Sequence, residues 1–424
     1  MFYKNYLLFI LFNLFILSPA QTYTYKEIKR PFSTNDITPC GPSNGFNMEN
    51  WRNAESFDGK IYVGTYPNGH LLRFSLAFDS SNTNQNITDD VDQLFAGRNS
   101  KPEIDIRGMI SDKDGLFGAT SVTPSLFYVI KKNGKDTLFQ FQLYSDIFRQ
   151  NGISFLFCPQ IYQRNHDTKE IYFGAVTSFP NSLKIVKWTL TKINSVSPGS
   201  TINVITVGER KDPDQFIASL AITKEDNSDV LLIGAYKKSL WKYVLTSTIH
   251  KISPLFITSQ YDTHKLVATP SNPNFVWLFS KPNNPADGEH QVPVYKLNFA
   301  TMSCTSINIT EDNKNNYNNF QQYSYNPSDS KIYCKYSTIS TLTDEVVTYN
   351  QGMLENRGDD KIRGNKIVFI IDHTGTQRAC GISRDALADP VMDWININNN
   401  MSYITTRFTP PLRLASIYGG KIIS

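Results

Sequence analysis

The sequence lacks the features that mark several common classes of protein. Its 424 residues include only five cysteines, and no two of them form a CxxC pair. Zinc-ribbon and thiol-redox motifs of that kind are therefore excluded. The six histidines show no HExxH or comparable zinc-ligand spacing, so we expect neither a metal nor another cofactor. Amphipathic helical patterns of about ten residues or more are also hard to find.

A strong charge of either sign is missing as well. The chain has 42 Lys and Arg residues against 38 Asp and Glu residues, and the net charge is +4. The basic residues are scattered along the chain, so nothing favours nucleic acid or an anionic membrane as a partner. No second long apolar run follows residue 20, and we expect no membrane insertion after the N-terminal segment is removed.

Residues 1–20 have the composition of a secretory signal peptide. A short polar start with Lys4 precedes an apolar stretch from Tyr6 to Leu17, and Ser18, Pro19 and Ala20 follow it. The apolar core is too short to span a membrane comfortably, and the small residues suit a signal peptidase. We therefore expect a secreted, extracellular mature protein.

Export agrees with three glycosylation sequons, which begin at Asn86, Asn308 and Asn400. The N-x-Ser/Thr sequence is the acceptor for N-linked glycans on the surface of secreted proteins. Some cysteines should pair in an oxidising compartment. Cys304 and Cys334 lie closest in sequence, and they are the predicted disulfide.

A short phrase returns along the chain. Four copies have an apolar run, a glycine and a second apolar run: KIYVGTYPNGHLLRF, GLFGATSVTPSLFYV, EIYFGAVTSFPNSLKIVKW and VLLIGAYKKSLWKYV. Their glycines lie 54, 56 and 60 residues apart, at Gly64, Gly118, Gly174 and Gly234. Two looser copies without the glycine follow, near Trp277 and Tyr333. This period indicates a repeat architecture.

Each repeat contains four short β-rich runs separated by Asp, Asn, Gly, Pro and Ser, which is typical of strands and turns. A four-stranded sheet that is apolar on both faces is unstable alone, whereas a radial arrangement buries each sheet between two neighbours. The sequence therefore predicts an all-β fold, a β-propeller with four antiparallel strands per blade. Seven blades are favoured, and six are the alternative. The glycines are expected where adjacent sheets approach too closely for a side chain.

The two ends of the chain are expected to complete one blade together. The final residues, RLASIYGGKIIS, resemble the start of another copy, and Thr22 to Ile28 (TYTYKEI) is the N-terminal run predicted to help finish it. The predicted organisation is a signal peptide over 1–20, an N-terminal strand and loop over 21–49, and the propeller over 50–424.

The copies resemble the general β-propeller superfamily, in the phrase DG-apolar-Tyr-x-Gly-Thr … Leu-x-x-apolar of secreted propellers with quinoprotein-like or lyase-like blades. The resemblance spans most of residues 50–350 and implies a fold rather than an activity. Signatures of narrower families are missing. The sequence has no repeated WD dipeptide, no GG pair in every blade as in kelch proteins, and no sialidase Asp-box.

The centre of the ring is the predicted ligand site, because innermost strands line a channel and loops at its mouth form the usual binding surface. Arg52 and Arg107 fall on two candidate inner strands, each before a DG turn. An arginine there would clamp a carboxylate or a uronic acid. The alternative is an ion pair between neighbouring blades. His264 and Gln321, near later inner strands, complete the candidate ligand residues.

Two short motifs are interpreted as exposed loops. Residues 41–45 match G-x-S-x-G, but the buried strand and the helix that a nucleophile elbow requires are missing around them. Residues 357–359 spell an integrin-type RGD in a polar stretch, and a three-residue match is common by chance. No catalytic residue is predicted.

Two functions stay open. The first is a secreted, glycosylated module that recognises glycans or extracellular protein partners in cell-cell contact. The second is a carbohydrate-active enzyme, a lyase or glycosidase, or a lactonase, with its site at the channel mouth. Because the propeller scaffold hosts both kinds of function, the lack of a recognisable acid–base pair favours binding.

Overall fold

The computed structural model describes the backbone of residues 22–29, 50–66, 71–75, 91–95, 106–120, 124–132, 134–141, 145–193, 198–236, 239–246, 252–254, 263–270, 272–280, 290–298, 301, 303–311, 323–327, 330–334, 337–348, 365–371, 377–383, 391–397, 400–409 and 412–423. Side chains are described for many of the residues between 53 and 346.

Nearly all of the elements are strands. In chain order the first are β1 (Thr22–Lys29), β2 (Asn50–Phe57), β3 (Lys60–Tyr66), β4 (Leu71–Ser75), β5 (Val91–Phe95), β6 (Ile106–Ser111), β7 (Leu116–Thr120), β8 (Leu126–Lys132), β9 (Lys135–Phe141), the helix α1 (Ser145–Gln150), β10 (Ile153–Asn165), β11 (Thr168–Thr177), β12 (Leu183–Thr191), β13 (Gly199–Gly208), β14 (Ile217–Glu225) and β15 (Ser228–Ala235). The others are β16 (Ser239–Val244), β17 (Ile252–Pro254), β18 (Thr263–Ala268), β19 (Phe275–Ser280), β20 (His290–Asn298), β21 (Ser303–Glu311), β22 (Ser324–Asn326), β23 (Lys331–Tyr333), β24 (Ser337–Ser340), β25 (Val346–Thr348), β26 (Asn365–Ile371), β27 (Gln377–Ser383), β28 (Val391–Ile397), β29 (Asn400–Thr409) and β30 (Leu412–Ile423).

Consecutive strands pair into antiparallel sheets. Within the described ranges, six sheets each use four strands in sequence order: β2–β5, β6–β9, β10–β13, β14–β17, β18–β21 and β22–β25. A further four-stranded sheet has the order β1-β30-β29-β28 and contains both ends of the chain. In it, β1 runs antiparallel to β30. Strands β26 and β27 form a two-stranded hairpin.

Successive sheets pack face to face. The first strand of each sheet lies against the first strand of the next, from β2 through to β22, and β28 lies against β2. Among the residues whose side chains are described, five clusters of buried apolar side chains each combine two neighbouring sheets. The all-β repeat predicted from the sequence is confirmed, and these sheets stack in the manner of β-propeller blades.

The sheet β18–β21 shows how one repeat serves two cores. Because successive side chains of a strand point to opposite faces, Val276 packs toward the sheet β14–β17, whereas Trp277 packs toward the sheet β22–β25. Cys304 packs into the first of these clusters and Cys334 into the second. The predicted disulfide between Cys304 and Cys334 is absent from the structure, because the two residues contribute to cores on opposite faces of the same sheet.

Three of the four repeat glycines lie where the next sheet comes closest. A Cβ atom on Gly64 would meet the backbone oxygen and Cγ2 of Ile106, the first residue of β6, both at 2.6 Å. Two further glycines have the same relation to the first residue of the following sheet: Gly174 to Ile217 and Gly234 to Thr263. The expected close approach of adjacent sheets at these glycines is therefore observed.

Gly118 differs from the other three. A Cβ atom there would collide with the ring of Phe127 on β8, a strand of the same sheet. The glycine of this copy makes room for an aromatic side chain within its own sheet rather than for a neighbouring sheet.

Several predicted features lie outside the described residues: residues 1–20, Asn86, Gln321 and the motifs at 41–45 and 357–359. Asn308 lies on β21, and Asn400 is the first residue of β29. Over the part of the chain that the structure describes, no helix is long and apolar enough to cross a membrane.

Candidate functional site

The two ends of each sheet differ in structure. We call the end where the first strand begins the upper end, and the end where the first strand turns into the second the lower end. Because consecutive strands are antiparallel, the loops between second and third strands and the connections between sheets also lie at the upper end. The loops between third and fourth strands lie at the lower end.

A β-bulge interrupts the first strand at the upper end of five consecutive sheets. In β2, Trp51 pairs with Thr65 and Asn53 pairs with Gly64, which places Arg52 outside the ladder. The residues in this position of β2, β6, β10, β14 and β18 are Arg52, Arg107, Ser154, Ala218 and His264. Met392 has the same position in β28.

Three of the four predicted ligand residues therefore occupy equivalent backbone positions, while Gln321 lies outside the described residues. Bulges are frequent beside binding sites, because the extra residue redirects the strand. Sequence reasoning placed Arg52, Arg107 and His264 on first strands but did not detect the bulge that they share. Their role in binding stays a prediction.

Hydroxyl groups fix the loops at the upper end. The N–H of Ser125 donates to Oγ1 of Thr120 at 2.9 Å, and Oγ1 of Thr177 donates to the carbonyl oxygen of Ser182 at 3.1 Å. Both bonds close the loop between the second and third strands of their sheets. Each threonine ends its second strand, opposite the first residue of the first strand. The recurrence of threonine at the end of the second strand was not recognised from the sequence.

An aromatic cluster lies between the sheets β10–β13 and β14–β17. The rings of Phe216 and Tyr236 stack with centroids 5.4 Å apart, and Phe157 meets Phe216 edge-on at 5.8 Å. The N–H of Tyr236 also donates to the carbonyl oxygen of Phe216 at 2.9 Å. Phe216 and Tyr236 are partly exposed, so this cluster presents aromatic surface near the upper end of both sheets.

A second aromatic feature of the upper end is the pair formed by Arg210 and Phe179. The guanidinium carbon of Arg210 lies 5.8 Å from the centroid of the Phe179 ring. The guanidinium group itself donates hydrogen bonds to the carbonyl oxygens of Thr177, Asp212 and Pro213. Burial lowers the pKa of Arg210, and the nearby carboxylates of Asp212 and Asp214 oppose this shift. Arginine nevertheless stays charged near neutral pH.

Lysines at the lower end connect neighbouring sheets. In each case a lysine on a strand of one sheet binds an aspartate in a turn of the adjacent sheet: Lys131 to Asp58, Lys169 to Asp112 and Asp114, and Lys296 to Asp344. These contacts are ion pairs between neighbouring sheets, and they involve residues other than Arg52 and Arg107, for which the sequence left such a role open.

Lys169 is the most deeply placed of these lysines, with a side chain only 2% exposed. Its ammonium group lies 2.5 Å from a carboxylate oxygen of Asp112 and 2.8 Å from one of Asp114. It also lies 5.3 Å from the centroid of the Phe117 ring. Two carboxylates and an aromatic face compensate the buried charge.

A buried carboxylate organises the lower end of the next interface. Glu170 accepts a bidentate pair of hydrogen bonds from Arg164, at 2.8 and 2.9 Å, and one from the hydroxyl of Tyr172 at 2.7 Å. Burial opposes ionisation of Glu170, but the bonds from Arg164 and Tyr172 and the charge of Lys187 outweigh it and lower the pKa. Burial and the bond to Glu170 raise the pKa of Tyr172.

Cys158 lies at a second bulge of β10, with a left-handed φ of 46°. Burial raises the pKa of its thiol to about 12. The thiol is therefore protonated at neutral pH, which does not suit a catalytic nucleophile.

The ion pairs are distributed unevenly between the two ends. Among the described residues, the carboxylates of the lower end bind lysine or arginine at each sheet interface discussed above, whereas the upper-end pair Arg149–Asp146 is an exposed contact within α1. No group of three or more potential metal ligands occurs in the described ranges. The upper end instead carries the bulges, the hydroxyl-closed loops and the partly exposed aromatic rings.

Comparison with known proteins gives no family. No protein-family model matches the chain, and no curated protein matches it either. The β-propeller domain of Cps50 (Swd1) from Myceliophteria thermophila is similar in structure, with 11% identity, a TM-score of 0.45, and coverage of 87% of this chain and 98% of that one. A chain from a S. cerevisiae Dbp5 assembly with Nup159, Gle1, IP6 and ADP has 9% identity, a TM-score of 0.44, and coverage of 95% and 96%. Because both TM-scores lie below 0.5, the sheet pairing carries the fold assignment.

Proposed function

We propose that the protein is a secreted, glycosylated β-propeller of seven blades that binds an extracellular ligand at the upper end of a central channel. The observation that carries this proposal is the bulge repeated at the upper end of consecutive first strands, with Arg52, Arg107 and His264 in equivalent positions. In a propeller the first strands line the channel. Residues at one level of these strands then surround one ligand site.

Seven four-stranded sheets among the described residues support the proposal of seven blades. The terminal sheet lies against the first sheet through β28 and β2, and it takes its outermost strand, β1, from the N-terminal part of the chain. Such shared sheets close propeller rings and leave only short edges. The hairpin β26–β27 lies against β1 and β30, and we assign it as an addition to the terminal blade.

The chemistry of the bulge positions favours an acidic ligand. Arginine binds carboxylate and sulfate groups through parallel hydrogen bonds, and His264 adds positive charge when it is protonated. Acidic glycans carry such groups in a repeating arrangement, as do acidic segments of extracellular proteins. We assign an acidic glycan as the first ligand to test.

Binding is favoured over catalysis by the position of the one carboxylate with a shifted pKa among the described residues and of its tyrosine partner. Glu170 and Tyr172 lie in a hydrogen-bonded network at the lower end, away from the bulges. An enzyme would instead need an acid and a base within reach of the same bound substrate. A lyase, a glycosidase or a lactonase is the alternative function.

The test measures binding of the purified, glycosylated protein to an array of acidic and neutral oligosaccharides. The single variants Arg52→Ala and Arg107→Ala should each weaken binding of acidic oligosaccharides by about tenfold or more, since a charged hydrogen bond contributes about 1.5–3 kcal/mol. Lys113→Ala is the matched control, because it removes one exposed positive charge from the lower-end turn between β6 and β7.

Equal losses in the Lys113→Ala control and in the bulge variants would show a nonspecific charge effect and contradict the proposal. The same preparations are incubated with the retained oligosaccharides, and the products are separated by size. Cleavage that disappears in Arg52→Ala or Arg107→Ala would establish the enzyme alternative.

A further inference from the structure

One aromatic side chain is exposed without an evident role in folding. Among the described residues, the exposed large apolar side chains are Ile147, Phe179 and Leu342. Phe179 is the aromatic one, and 54% of its surface is open to solvent. It lies in the upper-end turn between β11 and β12. A polar residue at this position would be the ordinary choice for an exposed turn.

The turn that carries Phe179 is fixed on several sides. The N–H of Ser178 donates to the carbonyl oxygen of Gly152 at 2.8 Å, and the N–H of Asn181 donates to the carbonyl oxygen of Ser178 at 2.9 Å. The hydroxyl of Thr177 closes the loop onto Ser182. An aromatic ring on such a turn loses little conformational entropy when a ligand binds.

Arg210 packs against one face of the Phe179 ring. Its side chain is buried, and its guanidinium group is held by the carbonyl oxygens of Thr177, Asp212 and Pro213. One face of the Phe179 ring lies over this guanidinium group. Because the ring is still more than half exposed, its remaining surface faces solvent.

Apart from Arg210, the side chains that flank Phe179 in its turn include the polar, uncharged Ser178 and Asn181. The amide of Asn181 donates to the hydroxyl of Ser178 at 2.9 Å, and Ser178 is exposed. An aromatic face beside hydroxyl and amide groups offers stacking together with hydrogen bonds to hydroxyls.

We propose that Phe179 is the stacking platform of a second binding site, which takes a neutral hexopyranose ring. The C–H groups on one face of such a sugar pack against the electron-rich face of an aromatic ring. The sugar hydroxyls then reach Ser178 and Asn181. Phe179 lies in a different sheet from Arg52, Arg107 and His264, and the proposal does not depend on those residues.

The size of the apolar surface favours a sugar over a protein. A stable protein interface buries about 800 Å² on each partner around an apolar core. One exposed ring, with polar groups beside it, provides the area of a single sugar rather than such a core. A protein partner is therefore an alternative outcome of the test.

The test uses saturation-transfer NMR of the full-length protein with three probes: methyl β-galactopyranoside, methyl β-glucopyranoside and N-acetylglucosamine. At least one probe should receive saturation mainly on the C–H protons of one ring face. Phe179→Leu keeps an apolar cover over Arg210 but removes the aromatic face, and it should weaken binding of that probe by about tenfold. Phe179→Trp should retain binding. Leu342→Ala, which truncates an exposed apolar side chain at the lower end, should have no effect.

Two results would overturn the proposal: no transfer to any probe from the wild-type protein, or equal binding by wild type and Phe179→Leu. Light scattering on the same samples gives a further check, because an oligomer lost in Phe179→Leu without a change in sugar binding would make Phe179 a protein contact. Binding of acidic oligosaccharides should be unchanged in Phe179→Leu, and binding of neutral probes should be unchanged in Arg52→Ala. The two sites can therefore fail separately.

Discussion

Replacing Gly64 by alanine tests the close approach of adjacent sheets directly. The new Cβ atom would lie 2.6 Å from both the backbone oxygen and Cγ2 of Ile106. Carbon atoms in favourable contact are about 3.5–4.0 Å apart, so the first two sheets would have to separate by roughly 1 Å. Overpacking of this kind costs typically about 1–3 kcal/mol. We expect a loss near 3 kcal/mol, because the backbone oxygen of Ile106 is one of three obstructing atoms, together with its Cγ2 and its Cβ at 2.7 Å.

Urea denaturation followed by tryptophan fluorescence measures this loss. Gly134→Ala is the control, because its Cβ would meet no atom within 4 Å, although φ is +75°. The left-handed backbone alone should cost about 1–2 kcal/mol there. A double variant with Ile106→Ala, which removes the clashing methyl group, should lose less than the sum of the two single variants. If Gly64→Ala is no more damaging than Gly134→Ala, or the two changes are simply additive, the two sheets do not meet at Gly64.

Three further predictions concern charged and titratable groups. Lys169→Met should lower the free energy of unfolding by about 2–4 kcal/mol, because it leaves two carboxylates without their buried partner. Lys131→Met removes a lysine from a half-exposed ion pair and should lower it by less than about 1 kcal/mol. Glu170 has a lowered pKa in the folded protein. Its contribution to stability is therefore present above the unfolded-state pKa of about 4.3 and is lost as pH falls through the folded-state pKa. The unfolding midpoint should accordingly depend less on acidic pH in Glu170→Gln than in the wild-type protein. Cys158 is partly buried, and burial raises the pKa of its thiol to about 12. It should resist iodoacetamide at pH 8 in the native protein and react once urea unfolds the chain, as followed by mass spectrometry. Rapid labelling of the native protein would contradict the raised thiol pKa.

The repeat was predictable because a position where two sheets approach closely requires glycine, and this requirement recurs along the chain. Gly64, Gly174 and Gly234 each accommodate the first residue of the following sheet, so the same physical requirement recurs once in each copy. Gly118 matches the pattern by sequence but serves its own sheet, since Phe127 fills the space above it. A pattern shows that a side chain is excluded, and it does not show which neighbour excludes it.

The disulfide prediction was wrong because closeness in sequence does not show which face of a sheet each cysteine occupies. Cys304 and Cys334 are separated by only one sheet boundary, but Cys304 packs with Leu297 on one face of the sheet β18–β21, and Cys334 packs with Trp277 on the other. The alternation of side chains along strands decides which residues can meet. The strand register was needed before that alternation could be applied.

The candidate site was predictable only in part. Arg52 and Arg107 were found because each lies on a first strand shortly before a DG turn, yet their shared bulge depends on which residues the second strand pairs with. Phe179 and Arg210 were missed entirely. The guanidinium group of Arg210 donates to carbonyl oxygens of the connection between β13 and β14 and to the carbonyl oxygen of Thr177, 33 residues earlier. Because every residue has a backbone carbonyl group, the sequence does not show which ones accept these hydrogen bonds.

The unequal chemistry of the two ends connects the fold with its proposed function. At the lower end, lysines bind the aspartates of adjacent turns, as Lys169 does with Asp112 and Asp114, so charge there is used to hold neighbouring sheets together. At the upper end, backbone bulges, closed loops and Phe179 are fixed mainly by hydrogen bonds to backbone groups. The proposed ligand site therefore lies at the end of the strands opposite to the ion pairs that hold neighbouring sheets together.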